Sequence, residues 1–109
     1  MTRGDIYLVR KPGASDPKRQ RAVVVVSRQV LIDSNYATVV CAPIYTSNIG
    51  LASQVAVGPE QGLKHASAIH CDGLVSLQKA VLSDYLGSLD GPKAGELSQA
   101  LKVALEIED

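Results

Sequence analysis

Apolar positions come first in short runs and then, near the end of the chain, in a helical stripe. Stretches rich in Val and Ile, or alternating apolar with polar, predict strands over 5–9, 22–27, 37–45, 53–57 and 67–72. The breaks between them carry turn chemistry: Pro12-Gly13, Asp33-Ser34-Asn35, Ser47-Asn48-Ile49-Gly50, and Gly58-Pro59 through Gly62. Ser76 reads as the cap of a short helical turn over 77–82. Past Asp90, a suitable N-cap, Pro92 fits a first helical turn. Leu97, Leu101 and Leu105 then recur every four residues, with Ala94, Ala100 and Ala104 alongside. That stripe is expected to cover the open side of the sheet, with Leu101 at its centre. There is no internal repeat and no linker. The pattern predicts one α+β domain, mainly β, over residues 1–109, built on a small, strongly bent antiparallel sheet with a C-terminal helix.

Composition narrows this picture. A chain of 109 residues fits one domain, and a domain of that size buries roughly two-thirds of its unfolded surface. Apolar residues make up 46% of the chain, yet Trp and Phe are absent, so the core must be aliphatic. No stretch approaches the ~20 apolar residues of a membrane span, and the N-terminus lacks an apolar signal segment; a cytoplasmic protein is the expectation. Cys41 and Cys71 sit in apolar runs and read as reduced core residues, although a disulfide stays open if their strands are neighbours. Together with His65 and His70 they match no usual zinc spacing, so neither a metal site nor a cofactor is expected.

Charge is balanced overall, with eleven basic and eleven acidic residues, but it is unevenly placed. Residues 1–28 hold seven basic groups and two acids, a net of +5, leaving −5 on the remainder. Five of the basic groups (Arg10, Lys11, Lys18, Arg19 and Arg21) fall between the first two strands, where Asp16 is the single acid. A cationic loop held at both ends by strands suits a phosphate backbone, and such attraction is local and salt-sensitive.

Five segments, in order along nearly the whole chain, resemble one family. Arg3-Gly4-Asp5-Ile6-Tyr7 is similar to an Arg-Gly-Asp/Glu-Ile/Val-Trp/Tyr opening. Ser15-Asp16, with Arg21 five residues after Asp16 and a run of valines beyond, resembles Ser-Glu-Gln-x-x-x-Arg-Pro-Val-Leu-Val. Ala42-Pro43-Ile44-Tyr45-Thr46-Ser47 resembles Ala-Pro-Ile-Thr-Ser. Gly62-Leu63 with Ser67-Ala68-Ile69 and Asp72 resembles Gly-Leu-x-x-x-Ser-Val-x-x-x-Asp-Gln. Leu86-Gly87-Ser88-Leu89 before an Ala- and Leu-rich helix completes the match. These are the segments of the PemK/MazF-type toxins.

The resemblance implies an SH3-like barrel, a homodimer, a cognate antitoxin and metal-independent cleavage of single-stranded RNA. Without a metal, RNA is most readily cut by attack of its own 2′-hydroxyl on the adjacent phosphorus. That attack needs an acceptor for the 2′ proton, a donor for the 5′-oxygen and cations facing the phosphorane. Arg21 matches the family's catalytic arginine, whose planar fork grips two phosphate oxygens at once. Thr46 matches the catalytic threonine, but Pro-Ile-Tyr-Thr replaces Pro-Ile-Thr. Either Tyr45 takes the hydroxyl role or a one-residue bulge restores Thr46 to the site. Asp16 matches a glutamate and is one methylene shorter. His70 and Asp72 stand where some members carry an arginine and an aspartate as acid and base; an imidazole suits proton transfer near neutrality. On one strand both would share a face. RNA contacts are expected from Arg10, Lys11, Lys18, Arg19, Tyr45 and Ser47.

Two further functions fit the same pattern. One is a gyrase-inhibiting toxin of the same fold, but such toxins depend on a C-terminal segment containing Trp, and this chain has none. The other is a catalytically weakened homologue that binds RNA or antitoxin without cutting. Arg3-Gly4-Asp5 also spells an integrin-binding tripeptide, at odds with its place at a strand start.

Overall fold

Strand β1 (Asp5–Arg10) pairs antiparallel with β2 (Gln20–Val25), and β2 with β3 (Thr38–Tyr45). These three form the middle of a seven-stranded sheet in a computed structural model that describes residues 1–10 and 20–108. The others are β4 (Gln54–Val57), β5 (Ser67–His70), β6 (Val75–Gln78) and β7 (Asp84–Ser88), joined by a short helix α1 (Gln29–Ile32) and closed by α2 (Gly91–Leu105). The order is β4-β5-β3-β2-β1-β7. β3 has two partners on one edge: β5 pairs with its Ile44–Tyr45 end and β6 with its Thr38–Cys41 end. A 3-10 turn, Cys71–Gly73, makes the corner between β5 and β6.

The run Val23-Val24-Val25 is buried because each face of β2 has a core of its own. Ile6, Val24, Ala42, Ile44, Val55, Val57 and Ile69 face α2, packing with Leu97 and Ala100. On the other face Tyr7, Val23, Val25, Val39 and Cys41 pack with Ile32 and Leu82. The two cysteines lie in different clusters, Cys71 in the first and Cys41 in the second, and both are free. Burial pushes the Cys41 thiol up to about 12; burial, then the Asp72 charge, push Cys71 up to about 11. Both are inert thiols that serve the core.

Strand ends are tied by polar stitches. Asp5, nearly buried, accepts from the Thr2 amide at 2.8 Å and from Ser88 Oγ at 2.7 Å, joining β1 to β7. Arg3 donates from Nε to the Val26 carbonyl at 3.0 Å. The Arg3-Gly4-Asp5 tripeptide is thus built into the sheet. Tyr7 has its phenol pKa raised, first by burial and then by the Asp5 charge.

Several expectations need correction. The 77–82 helical turn is not formed: Ser76 lies inside β6, and a 3-10 turn spans only Lys79–Val81. β6 alternates Val-Ser-Leu-Gln but is mostly exposed, so its apolar signal is thin. β7, Asp-Tyr-Leu-Gly-Ser, is polar and contains a glycine, and was not foreseen; neither was α1. The fifth strand stops at His70 rather than at residue 72.

The terminal helix forms as expected, with Asp90 Oδ1 accepting from the Lys93 amide at 2.9 Å. Its stripe is shifted from the expected one. Leu97 is fully buried and Ala100 nearly so, whereas Leu101 is half-buried and Leu105 is exposed. Leu97→Ala is therefore expected to destabilise the domain by roughly 2–5 kcal/mol as a cavity mutation. Leu101→Ala should cost less. Denaturant unfolding of both variants checks this; equal losses would show that the helix packs through a different face.

Candidate active site

Four side chains line up across four neighbouring strands. Ala22 pairs with Ile44, so Arg21 at the start of β2 stands level with Tyr45 at the end of β3. Tyr45 pairs with Ala68, and His70 lies two residues further along β5 on the same face. His70 in turn pairs with Gln54 of β4. Strand alternation gives Arg21, Tyr45, His70 and Gln54 the same side of the sheet as Val23 and Cys41. They extend past the edge of the second core, with Arg21 and Tyr45 exposed and His70 and Gln54 half-buried.

Their contacts are specific. The Arg21 guanidinium lies over the Tyr45 ring, 5.3 Å from its centroid, a cation–π arrangement that also limits where the fork can point. The Tyr45 ring meets His70 edge to face, with centroids 4.9 Å apart and planes at 82°. His70 Nε2 is 2.9 Å from the Ser47 carbonyl oxygen. A carbonyl only accepts, so Nε2 carries the proton and donates it. Nδ1, which keeps its lone pair, faces Gln54 Nε2 at 3.5 Å.

Arg21 and Tyr45 are exposed and His70 is half-buried. Thr46 follows the last residue of β3 and is exposed. No bulge moves it: the ladders of β3 with β2 and β5 run in step, and the register shift in the sheet lies between β1 and β7. The contacts to Arg21 and His70 are therefore made by Tyr45. Asp72 is not on a strand with His70, as the shared-face argument required, but on the 3-10 corner. There its Oδ2 accepts from Ser53 Oγ at 2.6 Å. Arg10 ends β1, exposed, opposite Gln20. Lys11, Asp16, Lys18 and Arg19 lie outside the described residues.

Sequence reasoning missed Gln54 and Ser53. The signal for Gln54 was available: in Gln54-Val55-Ala56-Val57 the valines point to the core, so the glutamine must point to the opposite face, where Tyr45 and His70 lie. Among the described residues, no three His, Cys, Asp or Glu side chains converge as a metal site, and no helix is long and apolar enough to cross a membrane.

Residues 2–105 match the family model of PemK-like, MazF-like toxins of type II toxin–antitoxin systems. The chain belongs to that family. It is 28% identical over 90 residues to endoribonuclease MazF3 of Mycobacterium tuberculosis, covering 83% of this chain and 86% of that protein. Its fold is similar to that of the toxin MazF-mt6 of Mycobacterium tuberculosis, with a TM-score of 0.82, 25% identity and coverage of 96% and 99% of the two chains. It is also similar to a mycobacterial endoribonuclease in complex with its cognate antitoxin, with a TM-score of 0.84, 24% identity and coverage of 100% and 98%. The mainly antiparallel half-barrel with a C-terminal helix is the fold of these toxins.

Proposed function

We propose that this toxin is an endoribonuclease that cleaves single-stranded RNA, such as mRNA, by 2′-hydroxyl attack without needing a metal. The observation that carries the reading is the row Arg21–Tyr45–His70, in which a guanidinium and an imidazole both pack against one partly exposed tyrosine ring. In the reaction the 2′-oxygen bonds to phosphorus and the P–O5′ bond breaks. The products are a 2′,3′-cyclic phosphate and a 5′-hydroxyl. Arg21 faces the non-bridging oxygens as charge builds on the phosphorane. His70 accepts the 2′ proton, a role worth ~10²–10⁴ in rate. Tyr45 holds the guanidinium in place through its ring and, with its phenol, takes the hydroxyl position that Thr46 occupies in the sequence match. Thr46 is a candidate phosphate contact, Asp16 a candidate contact to the 2′-hydroxyl, and Asp72 a candidate for returning a proton to the 5′-oxygen. Arg10, Lys11, Lys18, Arg19 and Ser47 supply contacts to the strand on either side.

The cognate antitoxin is proposed to be an acidic segment that folds onto this face and occludes it. One half-barrel offers a shallow half-groove, so a homodimer would complete the RNA path across its two-fold. The relatives carry endoribonuclease names, and none of these findings supports the gyrase-inhibiting alternative.

Incubating the purified protein with a long single-stranded RNA in EDTA tests the reading. Discrete fragments ending in 2′,3′-cyclic phosphate are expected. Cleavage that appears only when a divalent cation is added would overturn the metal-free mechanism. RNA binding without cleavage under either condition would instead mark a catalytically weakened homologue. Light scattering at micromolar concentration should return twice the 11.5 kDa chain mass, and a monomer would count against the shared groove.

A further inference from the structure

Gln54 ties down the loop between β3 and β4. Gln54 Oε1 accepts from the amides of Ile49 at 3.2 Å and Leu51 at 3.4 Å. The Gln54 backbone N–H donates to the Leu51 carbonyl at 3.0 Å. Two backbone N–H donors on one atom fix that atom as the oxygen, so the carboxamide nitrogen is the one turned toward His70 Nδ1. From the opposite side His70 Nε2–H donates to Ser47 O, the start of the same loop. Inside the loop, the Gly50 amide donates to Asn48 Oδ1 at 3.0 Å. Loop and imidazole therefore share one hydrogen-bond network, with Gln54 at its centre.

We propose that Gln54 is a positioning residue of the cleavage site: its oxygen sets the conformation of the 46–51 loop, and its nitrogen keeps the His70 lone pair on Nδ1. The consequence for the reaction is definite. One lone pair cannot accept from two donors, so for Nδ1 to take the 2′ proton the Gln54 N–H must first turn away from it, while Nε2–H stays bound to the 46–51 loop. This rests on the proposed role of His70 for its catalytic part; the tautomer and the loop are decided independently of any RNA.

Two variants separate the two duties. Gln54→Ala removes the acceptor for the loop amides and the donor for His70. Gln54→Glu keeps an oxygen for the Ile49 and Leu51 amides but has no N–H for Nδ1. In the wild-type protein, ring 15N shifts of His70 should show the Nε2–H tautomer. In Gln54→Ala they should show a mixture, with amide exchange at Ile49 and Leu51 faster by at least about tenfold. Gln54→Glu should restore the amide protection but not the wild-type ring signature. The single-turnover cleavage rate at saturating RNA should fall about ten- to a hundredfold in both variants. A wild-type His70 in the Nδ1–H form would overturn the tautomer assignment. Unchanged loop exchange in Gln54→Ala would overturn the loop assignment. A wild-type rate in Gln54→Glu, in a protein that does cleave RNA, would remove Gln54's effect on the chemistry. If the wild-type protein cleaves no RNA, the proposed function fails, while the NMR and exchange results still decide what Gln54 holds.

Discussion

Replacing Arg21 with alanine is expected to cut RNA cleavage by at least ~10²-fold while the fold survives, the scale of loss seen when a preorganised electrostatic donor is removed. The side chain is exposed at the start of β2 and contributes nothing to either core, so its removal leaves the sheet intact. Arg21→Lys should recover little. An ammonium is a point charge that cannot grip two phosphate oxygens side by side, and it stacks less well on the Tyr45 ring than a planar guanidinium. Arg28 supplies the control for bulk charge: it is exposed, carries the same charge and lies outside the Arg21–Tyr45–His70 row. Arg28→Ala should cleave at close to the wild-type rate. A folded Arg21→Ala protein with wild-type single-turnover kinetics would remove Arg21 from the mechanism and leave the chemistry to His70 and its neighbours.

The elements that could be read from the sequence are those whose apolar pattern is dense. β1 to β3 announce themselves because β2 and β3 are packed on both faces, and that demands unbroken Val, Ile and Ala. The terminal helix was legible from its period and its Asp90 cap, yet its buried face was misjudged. A four-residue spacing drifts by about 40° per step around a 3.6-residue helix, and the face that packs is centred on Leu97 and Ala100, which leaves Leu101 at its margin and Leu105 beyond it. β6 and β7 were hidden because an exposed strand needs only a backbone partner, and the partner, β3 or β1, is remote in sequence. The site divides in the same way. Arg21, Tyr45 and His70 could be nominated one by one from segment matches, but their mutual contacts depend on the registers of three ladders, which no local pattern encodes. The expected pairing of His70 with Asp72 failed for a local reason: the chain turns at Cys71, so two-residue alternation no longer applies. Gln54 was overlooked because a lone glutamine in a short strand looks like an ordinary solvent-facing residue.

Two glycines that the sequence offered as separate motif positions prove to be one structural device. Gly62 ends the turn after β4 with φ at +94°, and its Cα side lies directly against the backbone of Leu86 in β7. An added Cβ would sit 2.7 Å from the Leu86 carbonyl carbon and closer still to its oxygen; a Cβ on Gly87 would meet the Gln61 carbonyl in the same way. The turn is held by Gln61, buried, whose Oε1 accepts from the Gly58 amide at 2.7 Å. β4 and β7 are the two ends of the strand order, so this backbone-on-backbone contact is where the sheet curls round to meet itself. Gly62→Ala combines a left-handed conformation costing an L-residue ~1–2 kcal/mol with overpacking against backbone, typically ~1–3 kcal/mol. A loss of about 3 kcal/mol or more is expected, a large share of the ~5–15 kcal/mol that holds an ordinary domain together. For a domain of this size that corresponds to a melting temperature lower by roughly 10–20 °C. Gly95→Ala is the matched comparison. It adds the same methyl to α2, where nothing lies within 4 Å, and should raise stability by ~0.5–1 kcal/mol through helix propensity. Opposite signs from one chemical change would locate the cost in the Gly62–Leu86 contact. A Gly62→Ala protein that melts with the wild type would show that the turn stands away from β7 and that the half-barrel is held by its ladders alone.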